Sequence, residues 1–251
     1  IHNAAFEALG IDAAFHFMRI PLHDFGSVVQ ALRAEDLDGV SVTMPHKHNA
    51  FAAADEVSDA ALRTRSVNTL VMKEGRLLGY NTDVAGVTHA LSEVGDTGNA
   101  PILILGSGGA AAAALIAVEG RDVLLSGRDA TTVAALLDTV SVAASAVPWG
   151  TSISGAVVIN ATPLGMHGED LPLPVVEEAG ALIDMAYGEE VTPAVTLALR
   201  LDIPAADGPT MLVGQAVAAF QLFVDRRGPI HAMEEAVRSA SRHGRSRGRA
   251  G

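Results

Sequence analysis

Residues 101–129, PILILGSGGAAAAALIAVEGRDVLLSGRD, decide the architecture. The run Ile102-Leu103-Ile104-Leu105 has no polar alternation, the pattern of a strand covered on both faces of a parallel sheet. A glycine turn follows, then an alanine-rich helical run and a second apolar run ending at Leu125-Ser126, which together make one βαβ unit. Gly106, Gly108 and Ala111 match G-x-G-x-x-A. The chain turns tightly at the first position, backbone N–H groups approach a pyrophosphate at the second, and a small residue at the third lets the helix pack on the sheet. A merely tight turn is the bland alternative, but a strand before and a helix after are the context that dinucleotide binding requires. About 20 residues on, a carboxylate would accept the ribose hydroxyl of NAD and a basic residue would accommodate the phosphate of NADP. Ser126-Gly127-Arg128-Asp129 stands there, so NADP is expected through Arg128, while Asp129 keeps NAD possible.

Working outward, further strands are expected at residues 156–160 and 181–184, and helix from residue 211 onward through QAVAAFQLFV and HAMEEAVRSA. The first 84 residues have a different rhythm of short helical and extended patterns. Residues 1–9 read as a helix stopped by Gly10, 14–20 as a strand, and 27–34 as a helix capped by Asp24. Residues 39–44 read as another strand, and 68–72 with 76–80 as a hairpin turning at Glu74-Gly75. Asp83 can cap a helix over 84–94, and the polar stretch 95–100 reads as a linker.

Composition bounds the function. The chain of 251 residues is 49% hydrophobic, enough for a sizeable core. A formal charge of −12 argues against nucleic acid, because phosphate contacts need clustered Lys and Arg, and the basic cluster of Arg242, Arg245, Arg247 and Arg249 reads as a disordered tail over 242–251. There is no cysteine, hence no disulfide and no thiolate ligand or nucleophile. No apolar run reaches the roughly 20 residues of a membrane span, so a cytoplasmic protein with no membrane partner is expected.

The stretch SVTMPHKHNA at residues 41–50 holds Lys47, one of two lysines in the chain. Pro45 fits the first turn of a helix, which puts Lys47 where the macrodipole disfavours an ammonium by roughly 0.3–1 kcal/mol. A solvated lysine would tolerate that; so would one aimed at a ligand from the end of a strand. His46 and His48 flank it with no third residue spaced for a metal, so no metal is expected and both read as solvated or locally bonded. Trp149 reads as core.

HNAAF, SVTMPHK, SVNTLV, GYNTD, GSGGAA, INATPLGM, IDMAY and MLVGQAVAAFQLF, in that order, resemble the motifs of the shikimate dehydrogenase family, which includes shikimate 5-dehydrogenases and quinate/shikimate dehydrogenases. The resemblance covers nearly the whole chain. It implies a two-domain α/β protein: an open α/β substrate-binding domain over residues 1–84 and 209–241, and a Rossmann-type NADP domain over 85–208. It implies Lys47 and Asp83 as the catalytic pair, and Thr43, Asn68, Tyr187 and Gln215 as substrate ligands. Gly106, Ser107, Gly108, Gly109, Ala110, Arg128, Asn160, Ala161, Thr162, Met185 and Gly208 match cofactor-lining segments, with Asp59 a further cofactor contact. The bland readings are an N-cap for Asp83, a turn residue for Asn68, a surface amide for Gln215 and simple packing for Tyr187.

The activity implied is reversible reduction of 3-dehydroshikimate to shikimate with NADPH, a step of chorismate and aromatic amino-acid biosynthesis, by a monomer or homodimer. An NAD-dependent quinate/shikimate dehydrogenase and a non-catalytic metabolite sensor are the alternatives. Two departures from the family pattern carry expectations. Its first strand and carboxylate-binding serine pair lie ahead of HN and are not in this sequence, and a polypeptide lacking them is expected to bind substrate weakly. Gly127-Arg128-Asp129 stands where the family has Asn-Arg-Thr with a second basic residue, so weaker selectivity for NADP is expected.

Overall fold

The computed structural model describes residues 1–248 except Asp96 and Glu189, with side chains through Ala240. The run Ile102–Leu105 is strand β5, and all four of its residues are buried. Its side chains alternate between two clusters, Ile102 and Ile104 in one and Leu103 and Leu105 in the other. Each such side chain stabilises the sheet by roughly 1.5–3 kcal/mol through burial. Parallel neighbours extend it on both sides: β6 (Val123–Ser126) and β7 (Ser145–Val147) one way, β8 (Val157–Asn160), β9 (Ala181–Asp184) and β10 (Ala205–Ala206) the other. The order β10-β9-β8-β5-β6-β7 reverses direction between β5 and β8, which opens a crevice at their carboxyl ends. Helices α5 (Asp83–Glu93), α6 (Gly109–Ala117) and α7 (Ala130–Val140) cover one face, and α8 (Leu173–Glu177) with α9 (Pro193–Arg200) covers the other.

The first part of the chain builds a four-stranded mixed sheet, β1-β3-β4-β2, from β1 (Gly39–Ser41), β2 (Glu56–Val57), β3 (Thr69–Lys73) and β4 (Arg76–Tyr80). β3 and β4 form the expected hairpin: Glu74 and Gly75 both have positive φ, 51° and 74°, as a two-residue turn matching the strand twist requires. Helices α1 (His2–Leu9), α2 (Phe25–Arg33), α3 (Lys47–Ala53) and α4 (Asp59–Thr64) belong to this part. The chain closes with α10 (Gly208–Val224), capped by Asp207, and α11 (Ile230–Gly248). Gly86 and Gly214 let α5 and α10 lie against each other: a Cβ on Gly86 would meet the Met211 carbonyl at 2.7 Å, and one on Gly214 the His89 Cβ at 2.5 Å.

The α/β expectation is met, and Gly10 ends α1 in the left-handed conformation. Four local expectations are not. Residues 14–20 form no strand, because no neighbouring strand faces them; the Asn3 side chain binds the Phe15 N–H and carbonyl instead. Asp24 makes no side-chain cap, and its carbonyl accepts from Ser27 Oγ. Pro45 lies in a turn closed by His46 N–H to the Thr43 carbonyl, so the helix starts at Lys47. The closing helix continues to Gly248, into the stretch expected as a disordered tail, whose residues 249–251 lie outside the described residues.

Candidate active site

Lys47 is the first residue of α3 and Asp83 the first of α5, and they meet: Lys47 Nζ donates to Asp83 Oδ2 at 2.6 Å. Asp83 is buried, while the Lys47 side chain keeps 24% of its surface exposed. Neither carboxylate oxygen caps the helix, so the N-cap reading of Asp83 does not hold. Its Oδ1 accepts from Asn68 Nδ2 at 2.8 Å, and its N–H donates to Asn81 Oδ1.

The hairpin explains this convergence. Asn68 immediately precedes β3 and Thr82 follows β4, so antiparallel pairing brings them together. Asn68 Oδ1 accepts from Thr82 N–H at 2.8 Å and from the Thr82 and Thr69 hydroxyls, which turns its amide toward Asp83. Val67 N–H binds the Lys47 carbonyl and Val42 N–H the Asn68 carbonyl, which ties α3 and the chain before Thr43 to the same point. Gln215 on α10 brings its Oε1 to 3.5 Å from Asn68 Nδ2. Thr43, Lys47, Asn68, Asp83, Tyr187 and Gln215 all line one cavity of about 340 Å³. Ser41, Thr69 and Thr82 add polar groups to that wall. Thr82 lies inside the NTD motif and could have been named from it.

A second cavity, of about 600 Å³, opens at the crevice between β5 and β8 and is lined by Gly106, Ser107, Gly108, Gly109, Ala110, Arg128, Ala161, Thr162 and Met185. The residues fit a dinucleotide. Gly106 has φ +123°, and a Cβ there would strike the Ala161 carbonyl at 2.8 Å, whereas Cβ atoms on Gly108 and Gly109 would meet nothing. That open space lies at the start of α6, where free N–H groups and the helix dipole favour phosphate. Thr132 Oγ1 donates to the Asp129 carbonyl, so the 2.9 Å bond between Ser107 and Thr132 takes its proton from Ser107; it joins the glycine turn to the Arg128 loop. Among the described residues, Arg128 is the only cation and Asp129 the only carboxylate on this wall. Ala110 and Met185 line both cavities, so the two meet at these residues.

Three expected cofactor residues stand elsewhere. Asn160 is fully buried, with its amide committed to Asp184, Leu164 and Thr162. Gly208 opens α10 behind Tyr187, whose Cβ would lie 2.7 Å from a Cβ added there. Asp59 points its carboxylate to solvent on α4, 3.7 Å from Arg63. Conversely, Met44, Thr132, Pro163 and Met166 line the larger cavity without having been singled out. Trp149, expected in the core, packs partly on the Leu103 cluster and also borders this cavity. His46 is not solvated: it is buried, stacks on Phe25 and bonds the Ile20 carbonyl at 2.8 Å, while His48 bonds the Arg65 carbonyl.

Residues 1–70 match the family described as shikimate dehydrogenase substrate binding domain, and residues 208–238 the one described as shikimate 5'-dehydrogenase C-terminal domain. The chain is 32% identical over 254 residues to the shikimate dehydrogenase (NADP(+)) of Methanothermobacter thermautotrophicus, covering 95% of this chain and 90% of that one. The solved shikimate 5-dehydrogenase of Thermus thermophilus, in complex with NADP(H) and shikimate, superposes with TM-score 0.86 at 31% identity, covering 95% of this chain and 92% of that one. That of Listeria monocytogenes, in complex with shikimate and NAD, gives TM-score 0.81 at 27% identity over 94% and 90%.

Proposed function

The chain belongs to the shikimate dehydrogenase family, and on that premise we propose that it interconverts 3-dehydroshikimate and shikimate with NADP. The observation that carries this reading is the Lys47–Asp83 contact at 2.6 Å, on the wall of a cavity that meets the glycine-turn cavity at Ala110 and Met185. When bound, NADPH supplies a hydride to the ketone carbon. Lys47 donates the proton that the carbonyl oxygen takes up as negative charge develops there, an interaction stronger in the transition state than in the ground state. Asp83 aims the ammonium, Asn68 aims Asp83, and Thr43, Gln215 and Tyr187 hold ring hydroxyls. Gly106 to Ala110 hold the diphosphate, and Arg128 the ribose phosphate. In the oxidative direction Lys47 with Asp83 removes the hydroxyl proton.

The proposed division assigns residues 1–84 and 209–241 to substrate and 85–208 to cofactor; α5 and α10 then each begin close to a boundary. No helix among the described residues is long and apolar enough to cross a membrane, and the proposed site of action is the cytoplasm. Asp129 beside Arg128 favours one second reading, an NAD-using quinate/shikimate dehydrogenase. Absorbance of the reduced nicotinamide, followed with shikimate or quinate against NADP or NAD, separates the two. Lys47→Ala is expected to lower kcat by about 10²-fold or more with circular dichroism unchanged. Wild-type turnover in that variant would remove the assignment, and ligand binding without turnover in the wild type would make the protein a sensor.

A further inference from the structure

Asp184, the last residue of β9, is wholly buried and touches neither cavity. Its Oδ1 accepts from Asn160 Nδ2 at 2.8 Å and from Ala186 N–H at 3.0 Å; its Oδ2 accepts from Thr192 Oγ1 at 2.5 Å. No cation among the described residues pairs with it. Burial pushes its carboxyl above the usual carboxylate range, opposed by the Thr192, Asn160 and Ala186 hydrogen bonds. Thr192 is the N-cap of α9, so the helix dipole also faces this charge. A carboxylate in such a place costs stability that a neutral side chain would not, and the groups it holds suggest why it is there.

Through Asn160 it reaches the loop after β8. Asn160 Oδ1 accepts from Thr162 N–H and hydroxyl, and Asn160 Nδ2 donates to the Leu164 carbonyl. Ala161, Thr162 and Pro163 of that loop form part of the cofactor-cavity wall. On its own strand, Asp184 pins Ala186 N–H, and Met185 N–H between them binds the Asn160 carbonyl at 3.0 Å. Met185 is therefore fixed on both sides, and it lines both cavities.

We infer that Asp184 is a positioning residue for hydride transfer: by clamping Asn160 and the Met185-Ala186 backbone it fixes the seam at which the cofactor and substrate cavities meet. This rests on the reaction proposed above. Reacting atoms must sit about 3–3.5 Å apart in line, and misplacement of about 1 Å costs roughly 10²-fold in rate.

Asp184→Asn keeps both bonds to Oδ1, from Asn160 and from the Ala186 N–H, while the third is reversed, the new amide donating to Thr192 Oγ1 in place of accepting from it. Its expected kcat is within about 3-fold of wild type, because the two bonds that clamp Asn160 and the Ala186 N–H remain while the buried charge is gone. Asp184→Ala breaks the clamp, and kcat is expected to fall at least about 10-fold, more than KM for either substrate changes, while the isotope effect with shikimate deuterated at the reacting carbon rises. Thr192→Val removes the bond to Asp184 together with the cap bond from Val195 N–H, leaves the Asp184 bonds to Asn160 and Ala186, and gives a smaller loss of the same kind if the alanine variant does not fold. Wild-type kcat and isotope effect in both Asp184→Ala and Thr192→Val, with only melting lowered, would make Asp184 a simple brace. Equal damage in Asp184→Asn and Asp184→Ala would make the charge its contribution; either result overturns the inference. Wild-type turnover of shikimate is the control: its absence overturns the reaction and this inference together, its presence isolates Asp184.

Discussion

An ammonium at the first residue of a helix faces the wrong end of the dipole, and a carboxylate with 5% of its surface exposed has lost most of its water. Lys47 and Asp83 each supply what the other lacks. The 2.6 Å charge-assisted hydrogen bond offsets both penalties, and Asn68 takes the second carboxylate oxygen. Lys47→Met leaves Asp83 with a buried, unsatisfied oxygen, so it is expected to destabilise the protein by roughly 1–3 kcal/mol as well as to abolish turnover. Adding Asp83→Asn removes the stranded charge. The double variant is expected to melt above Lys47→Met while remaining inactive, read by thermal denaturation beside the nicotinamide assay. A double variant that melts lower still would mean that Asp83 is stabilised by groups other than Lys47.

At the scale of elements, the tightest fit lies between α5 and α10. Replacing Gly by Ala inside a helix gains roughly 0.5–1 kcal/mol of helix preference. At Gly214 the new Cβ would sit 2.5 Å from His89 Cβ and 3.1 Å from the Ala85 carbonyl, and such overpacking costs roughly 1–3 kcal/mol. The clash wins, so Gly214→Ala is expected to lower the melting temperature. Gly26 in α2 has no atom beyond its chain neighbours and its own helix backbone within 4 Å of its would-be Cβ, so Gly26→Ala is expected to raise it. The docking of α1 gives a pH signature. His2 is buried among Phe15, Phe220 and Phe223, its Nδ1 has no partner, and burial lowers its pKa to about 4. A depressed histidine contributes stability above its unfolded value of 6.5, and that contribution is lost as pH falls through about 4. His2→Phe is expected to flatten the melting curve over that window; an unchanged slope would place the titration elsewhere. These elements also mark the limit of what the sequence disclosed. β5, the glycine turn and the β3–β4 hairpin were legible because local pattern determines them: four consecutive apolar residues, a positive-φ glycine, a two-residue turn. The strand expected at 14–20 failed because pairing needs a neighbour, which no local pattern supplies. Lys47, Asp83, Asn68 and Gln215 were legible from motifs, and their meeting depends on hairpin register. The inward turn of Asn160 was not legible because strand periodicity does not say whether a terminal amide faces a ligand or, as here, Asp184, and Met44 and Met166 border the cofactor cavity only through tertiary approach.

For the whole molecule, the question is what holds two sheets so that their cavities meet. α5 and α10 pack along each other, while α4 reaches α6 and α7. At this last contact the Arg63 guanidinium makes a bidentate pair with Glu119, both bonds 2.9 Å, and its Nε donates to the Val140 carbonyl at 3.2 Å. Glu119 follows the end of α6, roughly 13 Å along the helix from the glycine turn. The pair therefore joins the two halves without touching either cavity, and its expected signature is stability without chemistry. Arg63→Ala is expected to melt below wild type at neutral pH and low salt, with kcat within about 3-fold, since no catalytic group is displaced. The hydrogen bond from Arg63 holds the Glu119 carboxyl below its ordinary 4.5. The contribution of such a depressed acid is present above that value and is lost as pH falls through the lower folded one. The melting difference between Arg63→Ala and wild type should accordingly narrow on acidification, and also in about 1 M salt, where the screening length is about 3 Å, down to what the Val140 bond contributes. Glu119→Gln, which leaves the Val140 bond in place, should reproduce part of the neutral-pH loss and add little to Arg63→Ala. A collapse of kcat in either variant would instead mean that this outer contact sets the distance across which the hydride passes.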